Sequence, residues 1–464
     1  MGQSNYIVAI ELSSSRVTGA AGIETHNGIK IMATASTPVD DFISKGIVRN
    51  VDKTSEAITN IINSLEMSLI EEGGEDITIK RAYVSLSGLT LQSIPSKVVH
   101  NFGTHTKIAP EHIIDLGNKN DSIFQIPEGY EKVRVITQEY KTDGKTNRDP
   151  IGAPAMTLEG HYLNIIIKKQ FLAQLNESFR MAKTEIADSF IAARMDADII
   201  LEKEDRRNGC ALVNIGADTT TVAVYKNDHL RKLSVIPFGS RNITRDICSE
   251  KISFDQADAI KISRGYSSPI AESDPIDNNT LNNIIAGRMS EILQNVKYQI
   301  NDSDEIINKI IFTGGGSRLK NLELLLEEYL PDFKTSISSN PQLAFDCAPG
   351  VNTIDIFTPA LYGLLNHGKE NCCEVVRQTP PPIKNTLFEE ENTAGNKPPK
   401  EIPGTKDTKN NTKKDTKKDT DKPDKKNKPN LFLGDLFGGF RDTMHGIIKS
   451  ATSEDPDQDT DNDE

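Results

Sequence analysis

The chain has 464 residues, a net charge of −13, five cysteines and no tryptophan. That length suits two to four packing units, while 36% apolar and 26% charged residues leave part of it too polar to bury a core. The acid surplus argues against a nucleic-acid partner. No run approaches the ~18–20 apolar residues of a spanning helix, and the start lacks a basic, greasy signal, so neither secretion nor a transmembrane span is expected. An odd number of cysteines without CxxC spacing or histidine partners reads as reduced structural thiols.

Taken in chain order, β-branched apolar runs predict strands at 6–12, 17–22 and 29–37, a helix at 52–71 and a strand at 81–87. Residues 85–160, rich in Gly, Pro and charge, read as a smaller insertion with few strong helices. A strand at 162–167 and a helix at 169–181 resume the α/β alternation. Strands at 211–215, 221–225 and 234–238 follow, then helices at 242–251, 254–263 and 280–301, a strand at 310–313 and a helix at 319–329.

Order gives way near 370–380. After Pro380-Pro381-Pro382 the chain turns to Lys, Asp, Thr, Asn and Pro in near repetition, with 12 Lys against 6 acids between Lys397 and Lys428. Such composition predicts a tether, and roughly 50 residues of it span about 40 Å. Apolar residues return at Leu431. Between 430 and 450, Leu433, Leu436, Phe437, Phe440, Met444, Ile447 and Ile448 share an arc of ~120° at helical spacing. A stripe with no adjacent core suits the headgroup boundary of a bilayer; the alternative is docking on the body or in a partner's groove. Gly434, Gly438, Gly439 and Gly446 predict a helix that forms only on contact with lipid. The +6 linker favours an anionic leaflet, and the seven acids from Glu454 to Glu464 oppose it.

Three elements could carry chemistry. The segments 7–22 and 211–225 echo one another as strand, turn of small hydroxylated residues, strand. Ser13, Ser14, Ser15 and Arg16 in the first turn, and Gly216, Ala217 and Thr219 in the second, expose amides and hydroxyls that could cradle phosphate. An apolar strand then runs into Gly314, Gly315, Gly316 and Ser317, where a sugar or base could lie against bare backbone.

Order and spacing of these elements resemble the actin, sugar-kinase and DnaK-type ATPase superfamily, and within it the bacterial FtsA family of cell-division proteins. Matching stretches are RAYVSLSG (81–88), VRVITQEY (133–140), SVIPFGSRNITRDI (234–247) and DQADAIKISRG (255–265), so that the likeness covers about 5–370 and the terminal stripe. It implies an α/β, actin-like duplicated fold with the displaced subdomain of that family. The implied division is 5–84 with 163–195, 85–162 inserted, 196–238 with 305–370, 239–304, a disordered linker at 371–429, an amphipathic helix at 430–450 and an acidic tail at 451–464.

The resemblance further implies ATP and Mg²⁺, with Asn214, Gly239, Asn242, Asp258 and Lys261 among the nucleotide contacts and Glu11 facing the metal. It implies that Arg288 and Glu291 grip the C-terminal peptide of the tubulin-like FtsZ, with Ile284, Ile285 and Ile292 as apolar neighbours. It also implies filaments of the chain itself, recruitment of later division proteins, and a place on the cytoplasmic side of the inner membrane at the septum. Departures stand at Ser13, where the family has Gly, at Asn214, where it has Asp, and at Ala217 and Asp218, where it has Gly-Gly. A neutral Asn cannot take a proton or neutralise a cation, so hydrolysis is expected to be weak or absent. A small-molecule kinase of the same superfold is the alternative, disfavoured by Asn214 and by the lipid-seeking stripe.

Overall fold

The computed structural model describes residues 5–26, 28–73, 76–268, 275–338, 346–351 and 358–375. The expected linker, apolar stripe and acidic tail lie outside them. Within the described part, two sheets repeat one plan. In the first, Tyr6–Leu12, Arg16–Thr25 and Gly28–Pro38 form an antiparallel meander, and Arg81–Leu86 then Glu185–Ile191 continue in parallel from the other side of Tyr6–Leu12. In the second, Cys210–Ile215, Thr220–Lys226 and His229–Ile236 form the meander, and Lys309–Thr313 and Lys334–Ile337 are the parallel additions. The echo at 7–22 and 211–225 is thus the visible part of a duplicated sheet.

Ile7, Val8, Ala9 and Ile10 are all buried, as expected of a strand covered on both faces, and helices Val51–Gly73 and Pro359–His367 pack on that sheet. In the second half, helix Asn278–Asn301 buries Leu281, Ile285, Met289, Ile292, Leu293, Val296 and Ile300, a helical-period stripe. Asp277 caps it by accepting from the Thr280 amide at 3.0 Å.

The insertion holds more regular structure than its composition suggests. Gln92–Lys107, Tyr130–Thr142, Lys145–Asn147 and Pro154–Lys168 form an antiparallel sheet carrying helix Pro110–Ile123, around a small core of Val98, Ile113, Leu116, Leu158 and Tyr162. Its long strands are polar on one face, so their apolar signal is diluted. The helix expected at 319–329 starts at Leu322. A 3₁₀ turn, Gly315–Arg318, runs off the glycines, and the α-helix Leu322–Tyr329 starts only after Asn321, held at φ 59° while its side-chain Nδ2 donates to the Tyr266 carbonyl at 2.8 Å. The five cysteines are free thiols, and burial pushes Cys210 and Cys373 up to about 12 and Cys372 to about 11, which leaves them poor nucleophiles.

Candidate functional site

The two small-residue turns face one another across a cleft lined by Glu11, Ser13, Ser14, Gly46, Ser87, Asp196, Asn214, Gly216, Ala217, Asp218 and Thr219, enclosing about 100 Å³. In the first turn the Ser13 hydroxyl accepts from the amides of Ser15 (3.3 Å) and Arg16 (3.2 Å) and donates to the Arg16 carbonyl at 2.9 Å. Ser13 therefore occupies amides that a bare glycine would leave free for an anion. Ser15 and Arg16 are exposed at the turn. The Ser14 hydroxyl accepts from the Gly46 amide at 2.9 Å.

A short hairpin, Ile43–Ser44 paired with Ile47–Val48, puts its tip between the turns. Lys45 and Gly46 both have positive φ, 52° and 69°, the geometry of a tight two-residue hairpin turn. A Cβ on Gly46 would stand 2.5 Å from Gly88 Cα, so backbone packs on backbone here. Sequence reading passed over this tip; the Lys-Gly pair between short apolar stretches was its one signal.

The second turn is closed by the Gly216 amide donating to the Thr219 carbonyl at 2.8 Å. Asp218, whose side chain is only 2% exposed, accepts from Arg241 Nη1 at 2.8 Å, the Lys45 amide at 3.0 Å and the Ser44 hydroxyl at 3.4 Å. Arg241 Nη2 donates to the Ser14 carbonyl at 2.8 Å. The Asp218 carboxylate is thus neutralised within the chain, by an arginine 23 positions on.

Gly239 and the glycine run pack on this turn. A Cβ at Gly239 would lie 2.5 Å from the Ala217 carbonyl oxygen, and one at Gly316 2.3 Å from Ile215 Cγ2. Gly315 faces open space, while Ser317 is buried and donates to the Gly314 carbonyl at 2.8 Å. Asn242 spends its Oδ1 on the Gly239 amide at 3.0 Å. At Gly314 φ is +90° and a Cβ would come 2.3 Å from Asn214 Oδ1. Gly314→Ala should therefore cost about 2–4 kcal/mol, from left-handed backbone strain plus displacement of Asn214. A chemical-denaturation shift below about 1 kcal/mol would show that the strand end relaxes freely.

Behind the turns lies a carboxylate absent from the expectations. Asp196, on helix Ala192–Ile200, is 3% exposed and accepts from Asn214 Nδ2 at 2.9 Å. Burial and the nearby Glu11 charge push it up to about 7, against the pull of Asn214 and the Ala360 amide. Burial likewise raises Glu11, which accepts a hydrogen bond from Thr358. No three His, Cys, Asp or Glu side chains gather as a metal cage among the described residues.

The remaining expected residues lie further out. Lys261 is 9% exposed and donates to Thr244 Oγ1 at 2.7 Å and to Asp258. Burial opposes ionisation of Asp258, yet Lys261 and Thr244 hold its carboxyl below the usual range. Arg288 makes two bonds to Asp246, at 2.7 and 3.0 Å, pairs with Glu291, and stacks over Phe238 at 5.9 Å. Ile285 and Ile292, expected beside a docked peptide, are fully buried, because they fall on the inward stripe of their helix; Ile284 alone of the three is partly accessible. The seven expected membrane residues from Leu433 to Ile448 are outside the described part. No helix among the described residues is long and apolar enough to cross a membrane.

A family model described as cell division protein FtsA matches residues 211–347, and one for the SHS2 domain inserted in FtsA matches 88–166. The cell division protein FtsA of Borreliella burgdorferi is 25% identical over 346 residues, covering 70% of this chain and 82% of that protein. FtsA of Bacillus subtilis is 23% identical over 349 residues, covering 71% and 78%. Among solved structures, the PilM–PilN type IV pilus biogenesis complex matches with a TM-score of 0.56 at 15% identity, covering 77% of this chain and 97% of that one. Both family models fall in the segments that the duplicated sheets and their insertion occupy, and relatives align along some 70% of the chain, so that the chain is similar to the FtsA family of cell division proteins, on an actin-like fold.

Proposed function

We propose that the chain is a cytoskeletal adaptor: an actin-like body that holds ATP with Mg²⁺, associates into filaments, binds the C-terminal peptide of FtsZ and pins the division ring to the cytoplasmic face of the inner membrane, where later division proteins join. The observation that supports nucleotide binding is the facing of the two small-residue turns across one cleft. Glu11 and Asp196 fit a magnesium site of the usual kind, in which one or two carboxylates act together with water and phosphate oxygens. Both acids resist ionisation in the free protein, and a divalent cation would supply the opposite charge they lack. Hydrolysis is weak or absent in this reading, since Asn214 cannot act as a base and Asp196 behind it is held on the Asn214 amide.

In this reading residues 5–84 with 163–195 and residues 196–238 with 305–370 flank the cleft, 239–304 carries the nucleotide-side helices and Arg288–Glu291, and 85–162 meets the later partners. The tether at 371–429 carries the amphipathic stripe to the bilayer. Several weak anchors on one filament multiply their affinities. Sedimentation with anionic vesicles tests the anchor: the intact chain should pellet and a chain ending at Asn427 should stay in the supernatant. Equal behaviour of the two would remove the tether from the model.

A further inference from the structure

We propose that Asp218 is a built-in anion of the cleft, so that the site takes a nucleoside diphosphate in preference to a triphosphate, and a terminal phosphate enters only by displacing the Asp218–Arg241 clasp. This rests on the nucleotide reading above and specifies the ligand class of the same cleft. The donors that converge on the Asp218 carboxylate are a guanidinium (2.8 Å), a backbone amide (3.0 Å) and a hydroxyl (3.4 Å). These are the groups with which proteins recognise phosphoryl oxygens. Here they are already spent on a carboxylate of the chain itself, on a side chain 2% exposed.

The clasp reaches both halves. Arg241 and Asp218 belong to the second half, whereas the Ser14 carbonyl that Arg241 holds, and the Ser44–Lys45 tip that Asp218 holds, belong to the first. The amides of Ser15, Arg16 and Gly46 are occupied by the hydroxyls of Ser13 and Ser14 in the same way. The cleft volume, about 100 Å³, falls below the roughly 300 Å³ at which small-molecule sites begin, and Ser14, Gly46 and Asp218, which make these contacts, line it. A third phosphate adds negative charge beside a carboxylate that cannot leave without stranding Arg241. A diphosphate places less charge at the clasp and leaves Asp218 on its donors.

The test is titration calorimetry of ADP and ATP, each with Mg²⁺ at pH 7.5, against the wild-type chain, Asp218→Asn and Asp218→Gly, with thermal melts reporting that each protein is folded. Asn keeps the shape and removes the charge; Gly also removes the side chain. The wild type should bind ADP at least about tenfold more tightly than ATP. Both variants should bring the ratio close to one or reverse it, mainly by strengthening ATP, because Arg241 is freed to meet phosphate. A wild-type ratio that both folded variants leave unchanged overturns the assignment of Asp218 alone. Absence of either nucleotide from all three proteins overturns the nucleotide reading, and this inference with it.

Discussion

Replacing Arg241 with alanine lowers the unfolding free energy of the body by about 3–5 kcal/mol, the range for stripping one partner from a buried ion pair. The two side chains are 16% and 2% exposed, so water cannot take over the role of the guanidinium at Asp218. The same change removes the bond to the Ser14 carbonyl. Adding Asp218→Ala to that background should recover most of the loss, since no charge is then left buried and alone. Urea unfolding of the two single variants and the double variant closes the cycle. If Arg241→Ala costs under about 1 kcal/mol, the pair behaves as a solvated surface contact and no clasp holds the cleft shut.

What was legible in the sequence is what repeats along the chain. The strands Tyr6–Leu12 and Cys210–Ile215 sit at the centre of their sheets, covered on both faces, and a continuous run of Val, Ile and Ala states that directly. The turns after them were legible because small hydroxylated residues have few other uses directly after a buried strand. By contrast, the long strands Gln92–Lys107 and Tyr130–Thr142 keep one face in water and read as loop. Helix Ala192–Ile200 escaped because AARMDADII carries two acids in nine residues; Asp198 turns out to be paired with Arg206 and His367, and Asp196 is buried against the cleft.

The site was half legible, for a reason of distance. Of the four positions expected to depart from the family pattern, Ser13 has partners set by spacing, while those of Asp218 and Asn214 are set by the fold. Ser13 closes on amides two and three positions ahead, which a turn of hydroxylated residues could have suggested. Asp218 finds Arg241 only because helix Ser240–Cys248 begins on top of the second turn, where Gly239 lets the backbone within contact of Ala217. Asn214 finds Asp196 from a helix before its strand. Position 214, where the resemblance leads to the expectation of a carboxylate, holds an amide with a carboxylate 2.9 Å away on the facing element.

The buried Asp196 should show itself in the pH dependence of stability. Asp196 sits near 7 in the folded protein, against about 3.9 for an unfolded aspartate. A folded pKa above the unfolded one means that the native state binds the proton more tightly. Its stabilising contribution is therefore complete below about pH 4 and is lost as pH rises through 7. Between pH 5 and pH 8 this one group removes on the order of 2–3 kcal/mol, and Glu11, raised in the same direction, adds to the slope. Asp196→Asn keeps an oxygen for Asn214 and the Ala360 amide but cannot ionise. It should gain on the wild type by that amount across the interval, with the two proteins closest at pH 5, as read by urea unfolding at each pH. Parallel stability curves for the two proteins would mean that Asp196 is solvated and ionised throughout. On the proposed nucleotide reading, the same experiment with Mg²⁺ and nucleotide present should reverse the trend at neutral pH, because a cation beside Glu11 and Asp196 would favour the ionised form that burial penalises.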